Sequence, residues 1–269
     1  MVCLCLKGRV VLIFELFRSH DFMQALIQIS IIVLLLMFAL TIHELSHGLA
    51  AYALGDSTAK RDGRLTLNPI RHIDPIGFLA LLIARVGWAK PVMVNPLNLK
   101  NPKVDMALIA AAGPISNFMM AVAATLICVP IFIHMNYDFI NAFQSGALNH
   151  LIDEYGTIEV MRAAMESRIM GIAINGGMLM TILLNFIFIN IMLGIFNLIP
   201  FPPLDGSKII IGILPDKIFY SLPPIGRYSM VILLILAVTG ALSMVIGPIS
   251  NGIMGLFLSI VFRIFGVAL

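Results

Sequence analysis

The stretch "TIHELSHGLA" (residues 41–50) decides the fold, because it follows directly on "FMQALIQISIIVLLLMFAL" (residues 22–40), which contains only three polar residues. An apolar run of that length is sufficient to cross the ~30 Å hydrocarbon core of a bilayer as a helix. His43 and His47 are four positions apart, so their rings lie on one helix face, with Glu44 beside them. Ionisable groups at membrane depth are costly, and they indicate a functional site.

The composition places the whole chain in the same class. Of 269 residues, 60% are hydrophobic and 12% charged, and the mean hydropathy is +1.01. Soluble domains contain roughly 45–50% apolar and about 25% charged residues. We therefore predict an all-α polytopic membrane protein. The net charge of +3 comes from basic residues scattered through loops, which excludes nucleic acid as the partner, and the three cysteines form no CxxC pair.

The apolar runs predict a core of three transmembrane helices followed by one or two C-terminal helices. The predicted spans are residues 21–54, 104–135 (broken early by Gly113-Pro114), 171–199, 229–247 and, as a span or a helix lying on the membrane, 252–268. This division predicts an N-terminal interfacial segment (1–20), an intramembrane core (21–228) and a C-terminal helical part (229–269).

The first loop, residues 55–103, contains two segments of interest. "IGFLALLIA" (76–84) is apolar but too short to cross a bilayer, so we expect it to be re-entrant or interfacial. "VGWAKPVMV" (86–94) has strand-like residues and could offer an edge to an extended peptide, although a plain loop is equally compatible with the sequence.

Lysine and arginine predict the orientation. They are concentrated in loops 55–103 and 206–228, which we expect to be cytoplasmic, whereas loop 136–170 has an acidic excess and lies on the opposite face. The basic residues of segment 1–20 would lie outside, against this assignment, unless part of that segment also crosses the membrane. The first and third spans then both run inward, so residues late in these spans converge near the cytoplasmic side.

Two histidines one helical turn apart can share one zinc ion, with the intervening glutamate as general base. The third ligand has three candidates. Asp205 follows the third span in "NLIPFPPLDG", and the topology brings it to the same depth as the histidines; otherwise "PPLDG" is a plain cytoplasmic turn. His72 and Asp74, in "RHIDP", lie in the loop on the same side.

The sequence resembles the site-2 protease family of intramembrane zinc metalloproteases, in its short prokaryotic form without a PDZ or CBS module. The resemblance runs from about residue 35 to 252, through "HELSHG", "LTLNPIRHIDPIG", "GWAKPVMVNP", "AAGPISN" and "NLIPFPPLDG". It implies one Zn²⁺ per chain and a role for each matched residue. The implied roles are zinc ligation by His43, His47 and Asp205, catalysis by Glu44, binding of the substrate carbonyl or oxyanion by Asn197, and helix packing or substrate contact by Asn117.

These observations together predict a zinc-dependent intramembrane endopeptidase. Its expected partners are a single-span membrane protein or peptide substrate and the lipid bilayer. Its expected location is a prokaryotic cell (inner) membrane, with the active site toward the cytoplasm. Two alternatives remain. A metal-binding transporter would not need Glu44 inside the motif, and a prenyl-protein protease would be expected to use a downstream glutamate instead of Asp205.

Overall fold

The structure is a computed structural model that describes residues 2–3, 22–84, 86–135, 145, 153, 177–215 and 228–266. These residues are mostly helical. The helices are α1 (Phe22–Ala53), α2 (Thr58–Arg61), α3 (Pro75–Ala84), α4 (Pro102–Met135), α5 (Gly177–Leu198), α6 (Asp205–Ile213), α7 (Ser229–Val238) and α8 (Ala241–Ile264). Two-residue strands, β1 (Val2–Cys3) and β2 (Val86–Gly87), pair antiparallel with Cys3 opposite Val86.

Among the described residues, four helices are long and apolar enough to cross a membrane: Leu26–Ala53, Pro102–Met135, Met178–Leu198 and Met244–Ile264. This confirms the helical membrane-protein class. The first two spans begin and end within two residues of the predicted bounds. The third ends one residue before its predicted end, and residues 171–176 of that prediction lie outside the described part of the chain.

The break predicted at Gly113-Pro114 is wrong, because α4 runs without interruption from Pro102 to Met135. A proline inside a helix removes one backbone hydrogen bond. In a spanning segment, the free backbone groups left by a complete break would cost several kcal/mol each. The Ser116 hydroxyl donates to the Gly113 carbonyl (2.7 Å) at the same turn.

The C-terminal helices are also divided differently from the prediction of a 229–247 span that ends before Pro248. The chain breaks at Gly240, whose φ of 78° is in the left-handed region that terminates helices. Consequently α7 has only 10 residues, and α8 extends for 24 residues with Pro248 inside it. The predicted 252–268 element is the second half of α8, and residues 267–269 are outside the description.

The loops agree with the prediction in part. The predicted loop 206–228 begins with a regular helix, α6. Residues 216–227 of this loop lie outside the described part of the chain. In segment 86–94, strand pairing is confined to β2 and to a bridge between Ala89 and Ile73. Helix α3 has 10 residues, which is too short to span, and its re-entrant placement stays a prediction. Predicted segments 1–20 and 136–170 lie almost entirely outside the described residues.

The chain forms two compact units. One comprises residues 1–118 and 192–248, and the other residues 119–191 and 249–269. The first unit has an apolar cluster where the end of α5 meets α7 and the start of α8: Phe196, Leu204, Leu233, Ala237, Leu242 and Ile246. The second unit has an edge-to-face contact between Phe132 and Phe262, with ring centroids 5.8 Å apart. All the site residues considered below belong to the first unit.

Several polar side chains of the spanning helices hydrogen-bond within their own helix. They donate to the carbonyl four residues earlier, at Ser30, Thr41, Ser46, Thr125, Asn185 and Asn190. For the serines and threonines, this bond satisfies the hydroxyl hydrogen without a partner from another helix. Each asparagine satisfies only one amide hydrogen in this way, and Oδ1 of Asn190 has no hydrogen-bond partner among the described residues. The serines and threonines therefore add little to the cost of placing their helices in lipid.

Candidate metal centre and active site

His43 and His47 lie on the same face of α1, as the helical pitch predicts. Their Nε2 atoms are 3.1 Å apart, and their rings meet edge to face at a centroid distance of 4.6 Å. Both side chains are buried. Two imidazole nitrogens at this separation are close enough to share one ion.

Asp205 completes this pair from a distant part of the sequence. It is the first residue of α6, and its Oδ2 lies 3.1 Å from Nε2 of His43 and 3.1 Å from Nε2 of His47. The proline-rich stretch between α5 and α6 brings the start of α6 against the end of α5, and Gly206 makes this close contact possible. A Cβ at Gly206 would lie 2.2 Å from the Leu198 carbonyl oxygen, so only glycine allows α6 to begin against the end of α5.

The three atoms form a triangle that fits a metal ion. Tetrahedral zinc with bonds of about 2.0–2.1 Å places its ligand atoms about 3.3 Å apart, and the observed edges are 3.1 Å. Two imidazoles and one carboxylate are also ligands that zinc prefers. His43, His47 and Asp205 are the one group of this kind among the residues that the structure describes.

The hydrogen bonds on the far sides of the rings fix their tautomers. Nδ1 of His43 donates to Oδ1 of Asn117 (2.9 Å), and Nδ1 of His47 donates to the Ile109 carbonyl (2.7 Å). Oxygens of this type only accept, so each Nδ1 bears a proton, and in the neutral imidazole each Nε2 then presents a lone pair. Three electron-pair donors therefore face one point, an arrangement that is stabilised by a cation.

Gly113 of α4 faces both rings with no room for a side chain. A Cβ there would lie 2.5 Å from Cε1 and Nε2 of His47 and 2.6 Å from Cε1 of His43. In the sequence, Gly113 stands out as a possible helix breaker and as part of "AAGPISN", with no sign of a contact with the histidines. Its packing role has no local signal, because it depends on a contact between residues 66 positions apart along the chain. The run of small residues in "AAAGP" (110–114) is the one sequence signal that another helix packs closely against this part of α4.

Glu44 lies beside the triangle and is half-buried. Its Oε2 accepts a hydrogen bond from the Val92 backbone N–H at 3.0 Å. This bond holds one carboxylate oxygen, and no described residue hydrogen-bonds to the other. The carboxylate borders an open cleft with a volume of about 220 Å³.

One side of this cleft is segment 88–94, here called the cleft wall, which contributes Trp88, Ala89, Pro91, Val92 and Val94. Asn197 and Lys208 also line the cleft. The Asn197 amide nitrogen donates to the Leu193 carbonyl at 3.0 Å, and the Lys208 ammonium lies 3.4 Å from Oδ1 of Asp205. Thus Asn197 borders the same space as the triangle, whereas Asn117 lies behind His43.

The rival third ligands lie elsewhere and form other bonds. His72 donates from Nε2 to the Thr66 carbonyl at 2.9 Å. The Asp74 carboxylate accepts from the Gly77 backbone N–H at 2.8 Å, at the start of α3. Neither residue belongs to the group that could hold a metal. The structure therefore brings Asp205, and not these two, to the histidines.

The described residues include four apolar spans. A buried His-His-Asp set, with its histidines and an adjacent glutamate on the first span and its aspartate just beyond the third, defines an integral membrane protein of the metallopeptidase class. The comparisons with known proteins agree. Residues 31–239 match peptidase family M50, and the chain belongs to this family. It is 33% identical over 220 residues to "Putative zinc metalloprotease YwhC" of Bacillus subtilis (strain 168), covering 82% of this chain and 85% of that protein.

No solved structure matches the chain. Family membership and the similarity to this zinc metalloprotease identify the protein as a zinc metalloprotease, in agreement with the family resemblance found in the sequence.

Proposed function

We propose that this protein is an intramembrane endopeptidase, which hydrolyses peptide bonds within the membrane-spanning segment of a single-span substrate. The observation that carries the proposal is the location of the triangle. His43 and His47 lie within a span, Leu26–Ala53, and Asp205 lies seven residues beyond the end of another, Leu198. A peptide reaching these residues must enter a site formed by membrane helices.

His43, His47 and Asp205 would hold one zinc ion, and a fourth coordination position would remain for water. When bound, zinc lowers the pKa of such a water to about 7. Asn117 and the Ile109 carbonyl keep the two imidazoles in the tautomer that ligation requires, since they accept the Nδ1 protons.

Glu44 is the proposed general base and acid. The Val92 N–H fixes Oε2, so the other carboxylate oxygen is oriented to take a proton from the attacking water. Glu44 then gives this proton to the leaving amine. Asn197 is the proposed donor to the oxyanion that develops on the substrate carbonyl. One hydrogen of its amide is donated to the Leu193 carbonyl, which leaves the second hydrogen for the oxyanion.

The cleft wall is the proposed support for the substrate backbone. A transmembrane substrate is helical, and its carbonyls are bonded within its own chain, so the scissile region must be extended before cleavage. The cleft wall beside Glu44 can hold such a peptide through backbone hydrogen bonds. Its large apolar contributors, Trp88 and Val92, suit the side chains of a membrane segment.

The test is the Glu44→Gln variant, co-expressed with a single-span reporter substrate. It should retain zinc and fold but lose cleavage, because glutamine cannot accept the proton. Ser46→Ala is the matched control on the same helical turn, since the Ser46 hydroxyl only donates to the Ile42 carbonyl (2.7 Å). Near wild-type cleavage by Glu44→Gln would exclude the proposed general base.

We further propose that the site opens toward the cytoplasm of a prokaryotic cell, because the lysines and arginines are concentrated in loops 55–103 and 206–228. In a variant lacking native cysteines, single cysteines within 57–65 and 215–220 should react only with reagent applied from the cytoplasmic side. Cysteines within 145–155 should react only from outside. The reverse pattern would invert the proposed topology.

A further inference from the structure

Asp56 lies just beyond the end of α1, the helix that carries His43 and Glu44. Its side chain has no exposed surface. Oδ1 accepts from the Thr58 backbone N–H (3.1 Å), the Thr58 hydroxyl (2.6 Å) and the Asn98 amide (2.6 Å). Oδ2 accepts from the Asn95 backbone N–H at 2.8 Å. One carboxylate thus joins the end of α1 to the stretch of chain that follows the cleft wall.

The same stretch is attached to α1 at a second point. Val92, in the cleft wall, donates its backbone N–H to Glu44, and Asn95 donates its backbone N–H to Asp56. Only two residues separate these donors. One of them, Val94, packs against the apolar cluster of Ala51, Leu99 and Ile109. Residues 92–95 therefore run along α1, fixed at one end by Glu44 and at the other by Asp56.

The cleft wall has little regular structure to hold it in place. Outside the bridge at Ala89, its residues belong to neither helix nor strand, and Pro91 has no N–H to donate. Polar anchors that the structure shows are the Lys90 N–H to the His72 carbonyl (2.8 Å) and the bonds to Glu44 and Asp56. The bonds to carboxylates are charge-assisted and roughly twice as strong as neutral ones.

We propose that Asp56 is a positioning residue of the protease, which holds the cleft wall at the height where it meets Glu44 and receives the substrate backbone. The inference rests on the proposed function and adds to it a residue outside the metal and catalytic set. Burial raises the pKa of Asp56, but the hydrogen bonds from Thr58, Asn98 and Asn95 outweigh it and lower the pKa to about 2. The anchor is consequently charged at any physiological pH.

Aspartate suits this position better than asparagine. The carboxylate receives four donors, whereas an amide has one accepting oxygen and an NH₂ group that would face N–H or O–H donors. The Asp56→Asn variant should therefore release Asn95 and loosen the cleft wall. The His43, His47 and Asp205 triangle has no bond to Asp56, so zinc should stay bound.

The experiment compares Asp56→Asn with two matched variants in the purified full-length protein. Thr58→Val removes the hydroxyl donor of α2 but leaves the bonds to Asn95 and Asn98. The double variant Asp56→Asn/Asn98→Asp exchanges amide and carboxylate, so residue 56 can accept from Asn95 and donate to residue 98, while the Thr58 bonds are lost. Zinc content, KM and kcat on a single-span substrate, and amide hydrogen exchange over 92–95 are measured for each.

Asp56→Asn should raise KM about tenfold with full zinc and a smaller change in kcat, and it should speed exchange over 92–95 about tenfold. Thr58→Val should stay within twofold of wild type, and the double variant should recover most of the lost KM. The proposal is overturned if Asp56→Asn exchanges and binds substrate like wild type, if it loses zinc, or if Thr58→Val has the same effect. It is also overturned if the double variant recovers nothing.

The exchange measurement separates this inference from the proposed function. If the wild-type protein cleaves no membrane substrate, the proposed function fails, but faster exchange in Asp56→Asn with recovery in the double variant would still assign the anchor. If Asp56→Asn does not fold, Asn98→Ala removes a single donor and should produce a smaller change of the same kind. Unchanged exchange in Asn98→Ala would then count against the anchor.

Discussion

Gly113→Ala should disrupt the metal site through a single added methyl group. The new Cβ would lie 2.5 Å from two atoms of the His47 ring and 2.6 Å from the His43 ring, whereas ordinary contact begins at 3.4 Å. The rings would have to retreat by about 0.9 Å to restore van der Waals separation. Their Nδ1 hydrogen bonds of 2.9 and 2.7 Å to Asn117 and Ile109 oppose this movement.

The expected loss can be bounded from that displacement. Disturbing the outer partners of metal-bound histidines costs about 10–100-fold in metal affinity, and a misplacement of about 1 Å in an active site can cost about 100-fold in rate. We therefore expect Gly113→Ala to weaken zinc about 10–100-fold and to reduce proteolysis by at least as much. Zinc affinity is measured in detergent by competition with a chromophoric chelator, and proteolysis on a single-span reporter.

Gly247→Ala is the matched control, because no atom of the described residues lies within 4 Å of the added Cβ. Glycine-to-alanine changes inside helices otherwise stabilise by roughly 0.5–1 kcal/mol. Reduced helix propensity therefore cannot explain a defect in Gly113→Ala. Wild-type zinc affinity in Gly113→Ala would contradict this prediction, since it would mean that the two imidazole rings can shift away from residue 113 without weakening zinc ligation.

Three further predictions concern the ligands and the anchor. Asp205→Asn should lose both zinc and proteolysis in metal analysis of purified protein, whereas His72→Ala should keep its zinc; the opposite result would place the third ligand in the first loop. Asn117→Leu should weaken zinc about 10–100-fold in the chelator titration because His43 loses its acceptor, and Asn117→Asp, which keeps an acceptor, should not. The pKa of Asp56 is about 2, against an ordinary 3.8, so its carboxylate contributes at most roughly 2 kcal/mol to the free energy of unfolding. This contribution is complete above about pH 4 and disappears as the pH falls toward 2. Thermal unfolding of wild type and Asp56→Asn should therefore converge over that interval, and a constant difference would contradict this linkage.

The parts of the site that depend on regular geometry were predictable from the sequence. The pitch of a helix places His43 and His47 together regardless of context, and a proline-rich end of a span made Asp205 available at the same depth. The membrane strengthened both inferences, because it limits the possible folds to apolar helices of known length. Asp205 was the harder residue, since its position required the direction of three successive spans.

The parts that depend on contacts between distant segments were not predictable. The prolines predict an early break in α4 at Gly113-Pro114 and a division of the C-terminal helices at Pro248. The helices instead continue through Pro114 and Pro248, and the chain breaks at Gly240. In lipid, the cost of unsatisfied backbone groups outweighs the single bond that proline removes. Gly113 illustrates the same limit, because its importance comes from rings on another helix.

The polar side chains that bond to their own helices have a practical consequence for handling this protein. A helix whose serine and threonine hydroxyls are bonded to its own carbonyls keeps those hydrogen bonds when neighbouring helices move away. Detergent micelles can therefore separate the spans while each remains helical. Circular dichroism would then report an intact protein after the His43, His47 and Asp205 triangle, which needs three elements in register, has come apart. Metal retention, rather than helical content, is therefore the appropriate criterion for choosing a detergent.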